Sequence, residues 1–292
     1  SADDRRACGA AAIRIADFFE AALVRRVRFR LQCSLVKMIL LGSGAVRPDL
    51  EHWGPAQVLQ VGDESLLFDC GRGASMRLVQ AGISLTSIRR VFFTHHHFDH
   101  NCDFAYLFLV SWTLGRDVPM EVTGPRETED FCAALFEHAY KDDMATRRGH
   151  PNFPPEGEKW IAHDVTAPEF RLESDQYVVR MIHVEHKGPI LDNLAFRVEA
   201  EGKSVVIVGD TTPCPQLMDF AEGADLLVHE CSFPSHVFEK EKWDSFHTNP
   251  RDLGRWARER GVKRLLLKHF CLRPGVVELD PMVDEVRATF GD

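Results

Sequence analysis

Thr94-His95-His96-His97-Phe98-Asp99-His100 is the stretch on which the reading of this chain turns. It continues Arg90-Val91-Phe92-Phe93-Thr94, an apolar run with the length and composition of a buried strand. Four residues able to bind a cation therefore stand at a strand end. In an extended loop His95 and His97 point the same way, and Asp99 and His100 can turn toward a second point. One cation would take neutral imidazoles, the other an imidazole and a carboxylate. That donor set suits zinc, with manganese or iron as alternatives where more oxygen is present. A solvated histidine-rich loop or an affinity tag would not follow a buried strand with an aspartate embedded in it.

Further donors recur at the ends of other apolar runs. Asp210 follows Val205–Val208 in Val208-Gly209-Asp210-Thr211, and a carboxylate there can bridge two cations. His269 follows Leu265-Leu266-Leu267-Lys268, and His183 and His186 close the strand Tyr177–Ile182. Each of these histidines alone reads better as a core or surface residue. Their joint recurrence at successive strand ends is what points to a centre of two cations.

Around these donors the chain alternates strands, turns and helices. Met38–Leu41 is a short strand closed by Gly42-Ser43-Gly44, and Gln57–Val61 with Ser65–Phe68 reads as a hairpin about Gly62-Asp63. Helices are expected over 74–80, 103–114, 126–145 and 251–260, and strands over 120–123, 177–183, 194–200, 204–208, 225–228 and 264–267. Residues 146–175 are polar and proline-containing and read as a long loop flanking the site, with Phe153, Trp160 and Trp243 as apolar walls. Two groups of strands, each followed by helices, make an α/β chain: an αββα sandwich of two packed mixed sheets with helices outside.

Composition narrows the classes. Apolar residues at 45% and charged residues at 27% are the balance of a folded domain, which excludes a disordered chain. No apolar run approaches the ~18 residues of a membrane span. The net charge of −9 argues against a general affinity for nucleic acid. Eight cysteines without a Cys-x-x-Cys pair read as reduced thiols of a cytoplasmic protein. Residues 1–37 differ, with eight Lys/Arg against four Asp/Glu. They read as a basic extension ahead of a domain over 38–292, with Met38 as a natural start.

The order of motifs resembles the metallo-β-lactamase-fold hydrolases, over the chain from Met38 onward. Within that superfamily it is most similar to the ribonuclease Z-like and arylsulfatase-like branch, through Leu41-Gly42-Ser43-Gly44, Leu67-Phe68-Asp69-Cys70-Gly71, Val228-His229-Glu230-Cys231 and Phe246-His247-Thr248. The resemblance implies that His95, His97 and His186 hold one metal, that Asp99, His100 and His269 hold the other, and that Asp210 lies between them. His186 is preferred to His183 because its spacing to Asp210 fits the family slightly better. The resemblance further implies that His247, oriented by Glu230, supplies a proton to the leaving group. Asp99 is both a ligand and an acceptor for the proton of the attacking water. His229 and His96 are expected to be structural.

These residues imply a metal-bridging hydroxide acting on a small ester, most readily a phosphodiester. Ribonuclease Z proteins carry a long arm between the third histidine and the Gly-Asp-Thr, and only 23 residues separate His186 from Asp210 here. The expected partner is thus a small-molecule substrate rather than nucleic acid or membrane, in a chain that can form a homodimer. The alternatives are a tRNA 3′-processing endonuclease, using the basic extension in place of the arm, and a lactonase, arylsulfatase or β-lactamase-type hydrolase. A non-catalytic binding module is disfavoured by the complete donor set.

Overall fold

Hydrophobic alternation sets the layers. In Lys203–Val208, Val205 and Ile207 face one apolar cluster while Val206 and Val208 face another. Successive strand side chains point to opposite faces, so a strand apolar at every position must be covered on both sides. Leu66, Leu67 and Phe68 split in the same way.

The computed structural model describes residues 36–186 and 188–291. The strands are β1 (Lys37–Gly42), β2 (Ala56–Val61), β3 (Glu64–Phe68), β4 (Ile88–Phe92), β5 (Met120–Pro125), β6 (Trp160–Val165), β7 (Glu169–Glu173), β8 (Val178–Val184), β9 (Asn193–Ala200), β10 (Lys203–Val208), β11 (Leu226–Glu230) and β12 (Leu265–Lys268). They form two six-stranded mixed sheets, ordered β1-β2-β3-β4-β5-β6 and β12-β11-β10-β9-β8-β7. A central core that includes Met38, Phe68, Phe92, Met181, Phe196 and Ile207 lies between the sheets. Helices 74–80, 104–113 and 128–133 cover the first sheet through Leu78, Leu107 and Cys132. Helices 215–220, 235–241, 250–259 and 279–290 cover the second through Leu217, Val237, Leu253 and Met282. This is the expected αββα sandwich.

Three expectations need correction. The stretch 146–175 is not one long loop, because β6 and β7 lie within it and form the far edges of the two sheets. β7 is largely exposed and carries three charged residues in five, and β6 alternates half-buried with exposed positions and contains His163 and Asp164, so neither gives the apolar run of a central strand. The helix expected over 126–145 is broken into Thr128–Ala133, a wide π turn over Ala134–Ala139, and Lys141–Ala145. The strand before the histidine motif ends at Phe92 rather than Thr94, which frees Thr94 for the site. The basic extension falls on residues of which 1–35 lie outside those described; Lys37 opens β1.

The topology places the site. β3 and β4 are parallel neighbours, as are β10, β11 and β12, and β8 runs with β10 across antiparallel β9. Asp69, the 94–100 loop, His186, Asp210, Glu230 and His269 all stand at the C-terminal ends of these strands. Two glycines permit the loops to close up. A Cβ at Gly71 would meet the Asp99 carbonyl oxygen at 2.2 Å, and one at Gly209 would meet Thr94 Oγ1 at 2.6 Å.

Candidate metal centre

The ligand atoms of His95, His97, His186 and Asp210 lie within 4.8 Å of one another, as do those of Asp99, His100 and His269. Asp210 joins the groups: Oδ1 is 3.6 Å from His100 Nε2 and Oδ2 is 3.2 Å from His269 Nε2. Asp99 Oδ2 stands 3.4 Å from His269 Nε2. His183 is elsewhere, with Nε2 3.1 Å from the Ala167 carbonyl oxygen.

The tautomers follow from the hydrogen-bond network. His186 Nδ1 lies 2.7 Å from the Phe246 carbonyl oxygen, which can only accept. His100 Nδ1 lies 3.0 Å from Asp69 Oδ2. Thr94 Oγ1 donates to Asp69 at 3.0 Å, so it accepts from His95 Nδ1 at 3.0 Å. Each of these three rings thus presents Nε2 to the cluster. His97 is turned the other way, with Nδ1 3.0 Å from His95 Nε2. The Nε2 atoms of His100, His186 and His269 and Oδ1 of Asp210 are buried without a hydrogen-bond partner. Buried lone pairs converging on one point are costly unless something positive meets them. The donors therefore fit divalent cations, with a carboxylate available to both groups.

The electrostatics agree with that donor set. Burial holds the pKa of His95 well below the ordinary imidazole value, and burial lowers those of His97 and His186 as well. These rings are neutral, which is the form that ligates. For Asp210, burial opposes ionisation, but His269, His100 and His95 outweigh it and hold the carboxyl well below its usual range. For His269, burial disfavours the charge, yet Asp210 and Asp99 raise its pKa to about 9. His269 also adopts a left-handed backbone, φ 62°, in a non-glycine residue. Such strain persists only where surroundings enforce it.

His247 adjoins this centre. Its ligand atom groups with those of Asp210 and His269, and its Nδ1 is 3.2 Å from Glu230 Oε1. Glu230 is fully buried; burial opposes its ionisation, but His247 beside it keeps its pKa low. The helix after His247 is capped by Asn249, which accepts from the Arg251 N–H at 3.0 Å, so His247 is not the cap. Trp243 lies 5.7 Å from His247 and stacks on Phe233 at 4.7 Å. Phe153 and Trp160, the other two expected walls, pack instead into the helical layer outside the first sheet. His96 also points there, to Thr128 Oγ1 at 2.8 Å, and burial lowers its pKa to about 4. His229 is buried, with Nδ1 2.9 Å from the Glu230 carbonyl oxygen.

Sequence reasoning assigned no role to Asp69, Thr94, Ser232 or Lys268. Asp69 accepts from the Thr94 N–H at 2.9 Å and from its hydroxyl, and fixes His100. Lys268 Nζ is 3.7 Å from Asp69 Oδ2, and both side chains are fully buried. The signal for Asp69 was present, as a carboxylate directly after the apolar strand Leu66-Leu67-Phe68.

Comparison with known proteins agrees with this geometry. Residues 36–270 match the family described as "Anti-Pycsar protein Apyc1". The chain belongs to this family. The chain is also 30% identical, over 257 residues, to Ribonuclease Z of Mycobacterium bovis (strain BCG / Pasteur 1173P2), a match spanning 84% of this chain and 90% of the relative. In fold it is similar to the metallo-beta-lactamase fold protein YhfI from Bacillus subtilis, with a TM-score of 0.69, 22% identity, and coverage of 87% of this chain and 92% of that one. Human tRNase Z, short form, gives a TM-score of 0.66 at 24% identity, covering 84% and 96%. The chain is a metallo-β-lactamase-fold, ribonuclease Z-like protein and a metal-dependent hydrolase.

Proposed function

We propose that this enzyme hydrolyses small phosphodiesters at a centre of two cations. The observation that carries the reading is the shared Asp210 carboxylate, whose two oxygens approach His100 and His269 while the same side chain groups with His95, His97 and His186. On this reading His95, His97 and His186 hold one cation, Asp99, His100 and His269 hold the other, and Asp210 holds both. Zinc suits these donors best, with manganese or iron as alternatives. Divalent cations bound there acidify water and offset charge on a phosphoryl oxygen.

The chain's own residues supply the proton transfers. Asp99 accepts the proton of the attacking water. Glu230 accepts the Nδ1–H of His247 and offsets the charge of its imidazolium form, whose Nε2–H is the proton given to the departing oxygen. The described residues between His186 and Asp210 form a short turn and the β9–β10 hairpin, which supports a small substrate over one gripped by an arm in that place. The acidic chain supports it too.

A second reading is endonucleolytic tRNA 3′ processing, and the name Ribonuclease Z borne by relatives at 30% identity favours it. Lactones, aryl sulfates and β-lactams follow as further ester classes. The test is a panel at fixed metal content: bis-p-nitrophenyl phosphate, a lactone, an aryl sulfate, nitrocefin and pre-tRNA. Turnover of the phosphodiester above the rest is expected. Site-specific cleavage of pre-tRNA trailers with little turnover of small esters reverses the order of the two readings. Elemental analysis should give two cations per chain; one per chain removes the shared role of Asp210.

A further inference from the structure

Ser232 stands at the junction of two networks that the proposed mechanism treats separately. Its hydroxyl lies 2.6 Å from Glu230 Oε2, 2.9 Å from His269 Nδ1 and 3.3 Å from His247 Nδ1. It is fully buried, so no solvent offers an alternative partner. A serine hydroxyl has one proton to give and two lone pairs. The direction of that proton decides the tautomer of His269.

Glu230 settles the direction. Its Oε2 already accepts the Ser232 N–H at 3.1 Å, and its Oε1 accepts the Thr248 N–H at 2.8 Å. A carboxylate taking a backbone N–H on each oxygen is ionised and can only accept. The Ser232 proton therefore goes to Glu230. Its oxygen then accepts, and the nearer imidazole N–H is that of His269. This holds the His269 proton on Nδ1 and turns Nε2 toward Asp99 and Asp210.

We infer that Ser232 is a positioning residue that couples the Glu230–His247 pair to the second cation position by fixing the ring of His269. The inference rests on the reading of His269 as a ligand. Outer partners of ligating histidines fix tautomer and orientation and typically govern affinity by about 10–100-fold. A loss of the Ser232 hydroxyl leaves His269 Nδ1 without an acceptor. The first cation position, formed by His95, His97 and His186, is braced through Thr94 and the Phe246 carbonyl and has no bond to Ser232 among the described residues.

The experiment is a stepwise zinc titration of the full chain against a chelator of known affinity, for wild type, Ser232→Ala and Ser232→Thr. The alanine variant should bind the second zinc roughly 10–100-fold more weakly and the first unchanged. Threonine keeps a hydroxyl and should restore the second affinity. An alanine variant with both affinities unchanged overturns the inference, and so does a threonine variant as impaired as the alanine, because packing would then be the cause. Nitrogen NMR of zinc-loaded wild type guards against a variant that fails to fold: His269, assigned by His269→Gln, should carry its proton on Nδ1, and a proton on Nε2 overturns the inference. Wild type that takes up no zinc overturns the two-cation reading itself, whereas two tight zincs in Ser232→Ala overturn this inference alone.

Discussion

Two fully buried carboxylates, one from each sheet, brace the two sides of the centre. Asp69, after β3, accepts from the Thr94 backbone and hydroxyl and from the His100 imidazole. Glu230, at the end of β11, accepts from the Ser232 backbone and hydroxyl, from the Thr248 backbone and from the His247 imidazole. The donor types match, but the duties differ. The imidazole on Asp69 belongs to a proposed cation ligand, and the one on Glu230 to the proposed proton donor. Asp69 also has a buried ammonium, Lys268, at 3.7 Å. On the proposed reading the Asp69 brace holds a ligand directly, whereas the Glu230 brace holds the proton donor directly and reaches a ligand only through Ser232, so the same chemical change should hurt them differently.

The largest effect is expected at Asp69. Asp69→Asn leaves the Lys268 ammonium buried without its counter-charge and takes the acceptor from His100. Breaking a buried pair by removing one partner costs about 3–5 kcal/mol. Chemical denaturation should show a loss of that order, and the second cation should bind more weakly. Adding Lys268→Met should recover part of the stability without recovering the metal. If Asp69→Asn is as stable as wild type, the buried pair contributes nothing and the contrast between the braces disappears.

On the other side the loss should be kinetic. His247→Ala should lower kcat by roughly 10²–10⁴-fold, the usual range for a general acid–base group, with metal content full. Glu230→Gln should lower it less, because the imidazole survives. Both losses should shrink on p-nitrophenyl leaving groups, which need little protonation. Loss of metal in His247→Ala would make it a ligand, a role its grouping with Asp210 and His269 allows.

How much of this could be read in advance differs between the two sheets. The first sheet delivers its donors in one contiguous loop, and His95, His97, Asp99 and His100 are legible because strand and turn geometry act over a few residues. The second sheet delivers His186, Asp210 and His269 one at a time, from β8, β10 and β12. They converge only through strand order, so the family resemblance, not periodicity, picked His186 over His183. Of the braces, Glu230 is reached through the family resemblance, which pairs it with His247, and Asp69 is the least legible. Asp69 and Glu230 reach their partners across loops distant in sequence, and Lys268 reads locally as a solvated strand end although it is fully buried. Edge strand β7 is illegible for the opposite reason, since exposure removes the apolar signal, and in β6 His163 and Asp164 interrupt the apolar run.

Removing the cations should sharpen the comparison, because His269 lies where the two networks meet. In chelator-treated protein its pKa is held at about 9 by Asp210 and Asp99 against the opposing pull of burial, from an ordinary 6.5. A raised folded-state value means that the proton stabilises the fold: the contribution is complete below about pH 6.5 and is lost as pH rises through about 9. Asp210, depressed by the surrounding imidazoles, contributes above its ordinary 3.8 and loses that contribution only as pH falls well below it. The urea midpoint of the metal-free protein should therefore decline between about pH 6.5 and 9. The loaded protein, with His269 neutral, should not follow it. Parallel profiles would mean that the proton and the cation do not compete for His269.

The smallest effect is expected at His183, three residues before His186 on the same strand end. The two histidines have the same local sequence credentials, and only their surroundings separate them. His186 is buried, passes Nδ1–H to the Phe246 carbonyl and turns an unpartnered Nε2 to the cluster. His183 is part-exposed, lies within β8 and spends Nε2 on the Ala167 carbonyl oxygen. Replacing a partly exposed residue outside any buried network usually changes stability by no more than about 0.5 kcal/mol. His183→Ala should accordingly keep both cations, near-wild-type kcat and a denaturation midpoint close to wild type, while His186→Ala loses the first cation. If His183→Ala lost metal instead, the ligand from β8 would be misassigned, and the second sheet would build its side of the centre from the strand itself rather than from the loop beyond it.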